Sequence, residues 1–552
     1  MTINRRGALA VLGSGGALLA GGMAGAAEAS KATFAHGVAS GDPARDGAVL
    51  WTRATPARGD IDGDVPLDWY VAISPDSKPI RSGRVVARRA ADHTAKLVVT
   101  RLRAGTDYNY WFTAPDGTRS PVGRFRTLPN GAVEKLVLAV ASCQLYPGGY
   151  FNAYADMAKL PQLDAVVHLG DYIYEYGADG YGADIGRALG RLPDPPHEIV
   201  TLSDYRRRHA QAKADPDLQA AHARAAFICV WDDHETANDS WVGGAENHDP
   251  VSEGTWAARK AAAMQAYFEW MPIRDPRPGQ PWEAINRSFE FGDLATLAMV
   301  ETRLLARSQQ VAPKGAAPTA ADYAPMLAQR ARRDRELLGP AQQRWLEDVL
   351  TTSVKAGKPW QVLGNQVVMA RVAGPDLAKA YGAEGYAARL AKMPAQWRDR
   401  LTGAAASYRA GLPFNFDSWD GYPAARERLY ASFAKAGSHP IVLSGDSHAA
   451  WANDLYDDTG RLAASEFGCT AITSPSYGSL LPGLGRVLAD QNKEVAFCDQ
   501  DGKGYTLLTL THGAADADFV TVSTIRERTF DRRITAQYRI AAGLTRAPIS
   551  AA

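Results

Sequence analysis

The feature that most constrains this fold is a series of short apolar runs separated by longer stretches with helical spacing, such as residues 256–271 and 334–354. Runs this short that lack polar alternation are typical of strands buried on both faces. Buried strands joined by helices predict an α/β domain of layered β-sheets over roughly residues 132–525. The runs are residues 135–141, 165–169, 226–231, 294–300, 360–363 and 440–443.

The chain has a different pattern before and after this region. Over residues 31–130, β-branched and aromatic segments alternate with turn residues about every ten positions, which predicts an N-terminal immunoglobulin-like β-sandwich domain. Proline and glycine in residues 127–131 mark a boundary. Residues 525–540 have helical spacing, so we expect residues 526–552 to form a C-terminal helical tail.

Residues 1–29 resemble an export leader. Arg5 and Arg6 precede a small, apolar stretch that ends in an A-x-A cleavage site, Ala27-Glu28-Ala29. The paired arginines favour the twin-arginine (Tat) export machinery, and an ordinary Sec signal is the alternative. We therefore expect an exported protein, periplasmic or extracellular, without a transmembrane segment in its mature form.

Composition limits the partners. The formal net charge of +1 gives no support for nucleic-acid binding or for an anionic membrane surface. Four cysteines are too few for a disulfide scaffold, although Cys469 and Cys498 could pair in an oxidising compartment. Cys229 lies inside an apolar run and is expected to be a core residue.

Nearly every predicted strand runs directly into side chains that bind metals or anions. In open α/β sheets, sites are built at the carboxyl ends of strands, so this recurrence predicts one shared site. The segments are Ser142-Cys143, Asp171 to Tyr174, Asp232-Asp233-His234-Glu235, Glu301-Thr302-Arg303, Asn365-Gln366 and Asp446-Ser447-His448.

Each of these residues also has a structural interpretation. Asp171 could belong to an ordinary Gly-Asp turn, but Tyr174 three residues later could reach the same trivalent cation. Asp446 and His448 are predicted to lie on one side of an extended stretch. Four consecutive ionisable residues after a buried run would be costly without a cation or hydrogen bonds. Cys143 is either a buried thiol or a ligand.

The types of ligand suggest two unlike metals. Cysteinate, phenolate, carboxylate and imidazole favour an Fe(III)-type ion, whereas aspartate, asparagine and carbonyl oxygens favour a harder divalent ion such as Ca²⁺. Asp171, with two carboxylate oxygens, is the natural bridge between them. Bridged metal pairs clamp phosphoryl oxygens and generate a hydroxide nucleophile.

Five motifs stand out in the sequence: Ala141 to Gln144, Gly170 to Glu175, Trp231 to Glu235, Asp417 to Tyr422 and Ser444 to His448. As a set, these motifs resemble the signature of PhoD-type alkaline phosphatases and phosphodiesterases, whose core is similar to that of purple acid phosphatases. The resemblance covers nearly the whole chain.

The resemblance implies one iron and one or two calcium ions. It places Cys143, Asp171, Tyr174 and His448 on Fe(III). It places Asp171, Asp233, Asn238 and Asp446 on calcium, with Asn365 or Gln366 nearby.

The resemblance also implies catalytic roles. His234 would contact a phosphate oxygen and assist the leaving group. Arg303 is a candidate phosphate contact, and an arginine ion-paired on the surface is an equally good interpretation. Glu301 stands where an aspartate is expected, and the longer side chain could alter the pocket if it orients Arg303.

The predicted function is an exported phosphoesterase that hydrolyses phosphate monoesters, diesters or both through a metal-bound hydroxide or oxide. Phospholipase D-like activity on a phospholipid or a teichoic-acid-like diester is an alternative. Two further alternatives are a single-metal, zinc-type hydrolase and a non-catalytic surface-binding protein, the latter suggested by 13 tryptophans and the sandwich domain.

Overall fold

The computed structural model describes residues 32–56, 63–312, 319–393, 395–543 and 547–552. The predicted leader, residues 1–29, lies outside the described residues. Within the described ranges, no helix combines the length and the hydropathy needed to cross a membrane.

The strands of the described residues form four sheets. The first 13 are β1 (Ala32–Thr33), β2 (Val38–Ala44), β3 (Gly47–Arg53), β4 (Thr55–Pro56), β5 (Val65–Ala72), β6 (Arg81–Ala87), β7 (Thr94–Val99), β8 (Asp107–Thr113), β9 (Gly123–Arg126), β10 (Lys135–Ala141), β11 (Ala165–His168), β12 (Ala226–Cys229) and β13 (Arg287–Phe291). The others are β14 (Ala295–Met299), β15 (Trp360–Gly364), β16 (Ile441–Ser444), β17 (Ala450–Tyr456), β18 (Leu462–Gly468), β19 (Val495–Asp499), β20 (Gly504–Thr511), β21 (Ala514–Val522), β22 (Arg532–Ala541) and β23 (Ser550–Ala551).

The α-helices of the described residues connect these strands. They are α1 (Asn152–Met157), α2 (Ala183–Leu189), α3 (Leu202–Lys213), α4 (Pro216–Arg224), α5 (Trp256–Trp270), α6 (Ala320–Arg330), α7 (Gly339–Lys355), α8 (Leu377–Tyr381), α9 (Ala383–Ala391), α10 (Ala395–Arg409), α11 (Pro423–Ala436) and α12 (Leu484–Gln491).

All six predicted apolar runs are strands, and they lie at the centres of two large sheets. One sheet has the order β23-β22-β21-β20-β10-β11-β12-β2-β3-β7, with β10, β11 and β12 parallel. The other has the order β13-β14-β15-β16-β18-β17-β19, with β14, β15 and β16 parallel. The layered α/β prediction is therefore confirmed.

The main core lies between the two sheets, because side chains of the second sheet alternate between its two faces. In β16, Ile441 and Leu443 join the core shared with β10, β11 and β12. Val442, between them, instead joins a second core with α7 and α11. Helices, two sheets and further helices thus follow one another as layers, and the strand ends of both sheets meet at the site described below.

The N-terminal strands form a sandwich, but one of its layers belongs to the ten-stranded sheet. Strands β6-β5-β8-β9 form a separate four-stranded sheet that shares a core with β2, β3 and β7. Strand β2 in turn pairs in parallel with β12, through Gly41 opposite Phe227. The expected boundary near residue 130 therefore separates chain segments, but the large sheet continues across it.

The prediction of a helical C-terminal tail is wrong. Residues 532–541 form strand β22, which pairs with β21, and residues 550 and 551 add the short strand β23. The four-residue spacing of Ile534 and Tyr538 fits a helix, but four is also a multiple of the strand period of two. Because β21 offers an edge for pairing, the strand forms.

The cysteines are all free and buried. Cys229 is a fully buried core residue, as predicted. Cys469 and Cys498 do not pair, because β17 lies between the strands that carry or precede them. Two inter-strand spacings amount to about 9–10 Å, which exceeds the reach of a disulfide.

The pairing of β2 with β12 can be tested at Gly41. A Cβ atom there would lie 2.2 Å from the carbonyl oxygen of Pro272 and 2.5 Å from that of Phe227. We expect Gly41→Ala to lower stability by about 1–3 kcal/mol, because backbone atoms would have to move apart. Urea denaturation followed by fluorescence measures the effect. Gly131→Ala is the control, since its Cβ meets nothing within 4 Å, and equal midpoints for both variants would contradict the packing.

Candidate metal centre

The loops that follow the strands of both sheets bring the predicted ligand side chains together. Three overlapping groups have ligand atoms within 4.8 Å of one another. The groups are Cys143, Asp171 and His448; Asp171, Asp233 and His234; and Asp232, Asp233 and Asp446. Asp171 and Asp233 each belong to two of them. The bridging role predicted for Asp171 stays a prediction. Asp232 joins the cluster although it was not predicted as a ligand.

Four of the clustered residues have left-handed backbone conformations. The φ angles are 60° at Cys143, 58° at Asp171, 59° at Asp446 and 59° at His448. Residues other than glycine rarely adopt such angles, and each costs about 1–3 kcal/mol that the surrounding structure must offset. The prediction of an extended stretch at Asp446 and His448 is therefore wrong. Sharp left-handed turns, rather than strand alternation, bring these side chains to one place.

The first half of the cluster centres on Tyr174. Its hydroxyl donates to Asp171 Oδ2 at 2.9 Å and lies 3.3 Å from His448 Nε2. His448 Nδ1 donates to the carbonyl of Pro475 at 2.7 Å, which fixes the tautomer and leaves Nε2 as the free lone pair. Burial and nearby Lys503 lower the pKa of His448 to about 3, so the imidazole is neutral, as a ligand must be.

The second half of the cluster surrounds Arg303. Its guanidinium lies 2.5 Å from Asp232, 3.5 Å from Asp233 and 3.2 Å from Asp446. A fourth carboxylate, Asp417, is 2.8 Å away. Arg303 is completely buried, so the interpretation of it as a surface arginine is wrong. This single cation thus contacts four carboxylates.

Glu301 shapes the loop that carries Arg303. Its carboxylate accepts hydrogen bonds from the backbone N–H groups of Arg303, Leu304 and Leu305 at 2.9, 2.7 and 2.9 Å. It also accepts the indole N–H of Trp231 at 2.8 Å. Glu301 therefore orients the backbone of the loop through these hydrogen bonds.

His234 is held by Glu175. The carboxylate of Glu175 accepts from His234 Nδ1 at 2.7 Å and from the backbone N–H of Asn238 at 2.7 Å. Burial disfavours a charged imidazole, but Glu175, Asp233 and Asp171 outweigh it and raise the pKa of His234 well above its usual value. The carboxylates around His234 thus favour the protonated form of its imidazole.

The electrostatics of the cluster fit bound cations. Burial, followed by neighbouring acidic groups, raises the pKa values of Asp171, Asp446, Cys143 and Tyr174 well above their ordinary values. The buried oxygens Asp171 Oδ1, Asp232 Oδ2 and Asp233 Oδ1 have no hydrogen-bond partner among the described residues. Metal ions would bind the deprotonated groups and such oxygens, so the residues present fit a metal centre.

Two predicted ligands bind other groups. Asn238 donates its side-chain amide to Glu246 at 3.2 Å. Asn365 donates to the carbonyl of Val367 and accepts the indole N–H of Trp419 at 3.0 Å. Both amides are therefore engaged outside the carboxylate cluster.

Sequence reasoning missed several residues that support the cluster. Asp417 was noted only as part of a motif, although it binds both Arg303 and Arg307. Asp239, whose backbone N–H donates to Asp233 Oδ2 at 2.6 Å, also has a left-handed backbone, with φ of 51°. The loop after β18 also contacts the cluster, through Ser474 and Pro475, and only its position after a buried strand could have indicated this.

Comparisons with known proteins found matches that together cover most of the chain. A family model described as "PhoD-like phosphatase" matches residues 138–519, and one described as "PhoD-like phosphatase, N-terminal domain" matches residues 20–129. Alkaline phosphatase D of Bacillus subtilis (strain 168) is 34% identical over 500 residues, which cover 88% of this chain and 77% of that protein. A solved structure described as "Structure of PhoD" has a TM-score of 0.77 at 32% identity and covers 94% of this chain and 92% of its own.

The role of Asp417 can be tested by removing its charge. We expect Asp417→Ala to destabilise the protein by about 3–5 kcal/mol, because Arg303 and Arg307 would lose a buried partner. Thermal denaturation measures this loss of stability, and turnover is measured on the same samples. Asp334→Ala removes an exposed aspartate paired with Arg332 and should change neither quantity. Equal melting temperatures for the two variants would show that the buried pairs contribute nothing.

Proposed function

Because the chain belongs to the PhoD-like phosphatase family and is a phosphoesterase of that type, we propose that the buried cluster is its reaction centre and holds two unlike cations. The observation that carries this proposal is the position of Asp171, which lies within ligand distance of both halves of the cluster. A carboxylate shared between a Cys-Tyr-His half and an all-carboxylate half suits a pair of cations of different hardness.

The two halves suit iron and calcium. Cys143, Asp171, Tyr174 and His448 offer the soft and phenolate donors that Fe(III) accepts. Asp171, Asp233 and Asp446 offer the oxygens that Ca²⁺ prefers, with Asp232 beside them. When bound, such a pair supplies Lewis acidity at the phosphoryl group and lowers the pKa of water.

The remaining residues of the centre have separate tasks. His234, protonated and held by Glu175, is placed to donate a proton to the leaving oxygen of the ester. Arg303 is enclosed by four carboxylates, which supports a positioning role more strongly than the predicted phosphate contact. Asp417 anchors Arg303 in turn, so the carboxylates keep their geometry.

The substrate is a phosphate ester, and we propose that both monoesters and diesters are accepted. A phospholipid or a teichoic-acid-like diester is compatible with export, which the paired arginines of the leader support. The net charge of +1 offers no general attraction for anions, so recognition of the phosphate depends on the cluster itself.

The bridging role of Asp171 predicts the effect of a neutral substitution. Asp171→Asn should abolish turnover, because it weakens the binding of both cations at once. Turnover of a chromogenic ester and elemental analysis of the same sample measure the two losses. Asp454→Asn, at a carboxylate outside the cluster, is the control. A variant of Asp171 with near wild-type activity would refute the bridging role.

Metal content provides the second test. Protein purified after native export should contain iron and calcium, should be coloured by an Fe(III)–phenolate band, and should lose activity reversibly when calcium is chelated. Elemental analysis, visible absorption and a panel of monoesters and diesters measure these properties. Colourless protein with stoichiometric zinc would contradict the iron assignment. Full activity after exhaustive removal of calcium would contradict the calcium assignment.

A further inference from the structure

The loop after β18 contacts three of the proposed iron ligands. We call residues 469–475 the Ser474 segment. The carbonyl of Pro475 accepts from His448 Nδ1, and the hydroxyl of Ser474 lies 2.7 Å from the phenol oxygen of Tyr174. The same hydroxyl donates to the carbonyl of Cys143 at 2.8 Å. One short segment thus contacts the histidine, the tyrosine and the cysteine together.

Ser474 is completely buried, so its hydroxyl depends on protein partners. It carries one proton and has two neighbouring oxygens, the carbonyl of Cys143 and the phenol oxygen of Tyr174. While Tyr174 keeps its own proton, the phenol can donate to Asp171 or Ser474, and the serine donates to the carbonyl. The backbone N–H of Leu145 approaches Ser474 Oγ at 3.4 Å and polarises the hydroxyl further.

Metal coordination changes this count of protons. If Tyr174 bound a trivalent cation as a phenolate, its proton would have passed to solvent and its oxygen could only accept hydrogen bonds. A hydrogen bond to a charged acceptor is roughly twice as strong as one to a neutral carbonyl. Rotation of the Ser474 hydroxyl by one rotamer would therefore exchange a weaker partner for a stronger one.

The carbonyl of Cys143 would remain satisfied after this rotation. It already accepts the backbone N–H groups of Thr473 at 3.3 Å and Ser474 at 3.2 Å. Loss of the hydroxyl therefore leaves no buried oxygen without a partner, which removes the main cost of the rotation. The Ser474 segment therefore provides the serine hydroxyl that would donate to the phenolate. It also provides the backbone N–H groups that keep the carbonyl of Cys143 hydrogen-bonded.

We infer that Ser474 is a positioning residue for the metal centre, whose hydroxyl donates to the phenolate oxygen of Tyr174 and tunes its bond to the trivalent cation. This inference rests on the proposed function. A donated hydrogen bond withdraws electron density from the phenolate, so it lowers the energy of the electrons that give rise to the charge-transfer band. It also holds the ring in place for the metal.

The test is the visible spectrum of the iron-loaded protein. Ser474→Ala removes the hydrogen bond and should move the Fe(III)–phenolate band to longer wavelength, because the phenolate electrons rise in energy. Its iron affinity should fall roughly 10–100-fold, measured as competition with a chelator. Ser474→Thr keeps the hydroxyl and should restore the wild-type band.

Thr473→Val is the matched control. Thr473 lies in the same segment and is buried, but its hydroxyl donates to the carbonyl of Leu145 at 2.7 Å, a residue outside the ligand set. This variant should leave the band where it is. An unchanged band in Ser474→Ala, or an equal shift in Thr473→Val, would overturn the inference. A wild-type protein without any such band would instead overturn the iron assignment on which the inference rests.

Discussion

The structure depends on the burial of many negative or potentially negative groups at the meeting point of two sheets. Asp171, Asp232 and Asp233 are almost fully buried, and repulsion among ionised carboxylates in a low-dielectric site is severe. Within the described residues, Arg303 compensates part of this charge and Asp417 anchors the arginine. Bound cations would compensate the remainder, and the strand ends of both sheets supply the side chains that could hold them.

Much of the fold could be predicted from the sequence, because buried strands are recorded as apolar runs of limited length. All six runs became strands, and the change from alternating to continuous apolar residues separated the N-terminal sandwich from the layered domain. The prediction of a helical tail failed because a spacing of four residues fits both the helical period and the strand period of two. The continuity of β2 with β12 could not be predicted, since it depends on long-range pairing between segments almost 190 positions apart along the chain.

The candidate site shows a similar division. Ligand chemistry is a property of side-chain type, so Cys143, Asp171, Tyr174, Asp233, Asp446 and His448 could be selected from the sequence. The direction in which these side chains point is set by the backbone. The left-handed turns at Asp446 and His448 had no clear signal in the sequence, because neither residue is glycine. Supporting residues such as Ser474 act through hydrogen bonds across 300 and 331 positions of sequence, and no local sequence pattern indicates such contacts.

The pairing of β2 with β12 also has a consequence for the order of assembly. Strand β2 is synthesised well before its parallel neighbour β12, which ends at Cys229. Strand β10 likewise cannot complete its pairing until β20, which begins at Gly504, has been synthesised. The large sheet therefore cannot close until β20 has been synthesised, and its unpaired edges stay open to wrong partners until then.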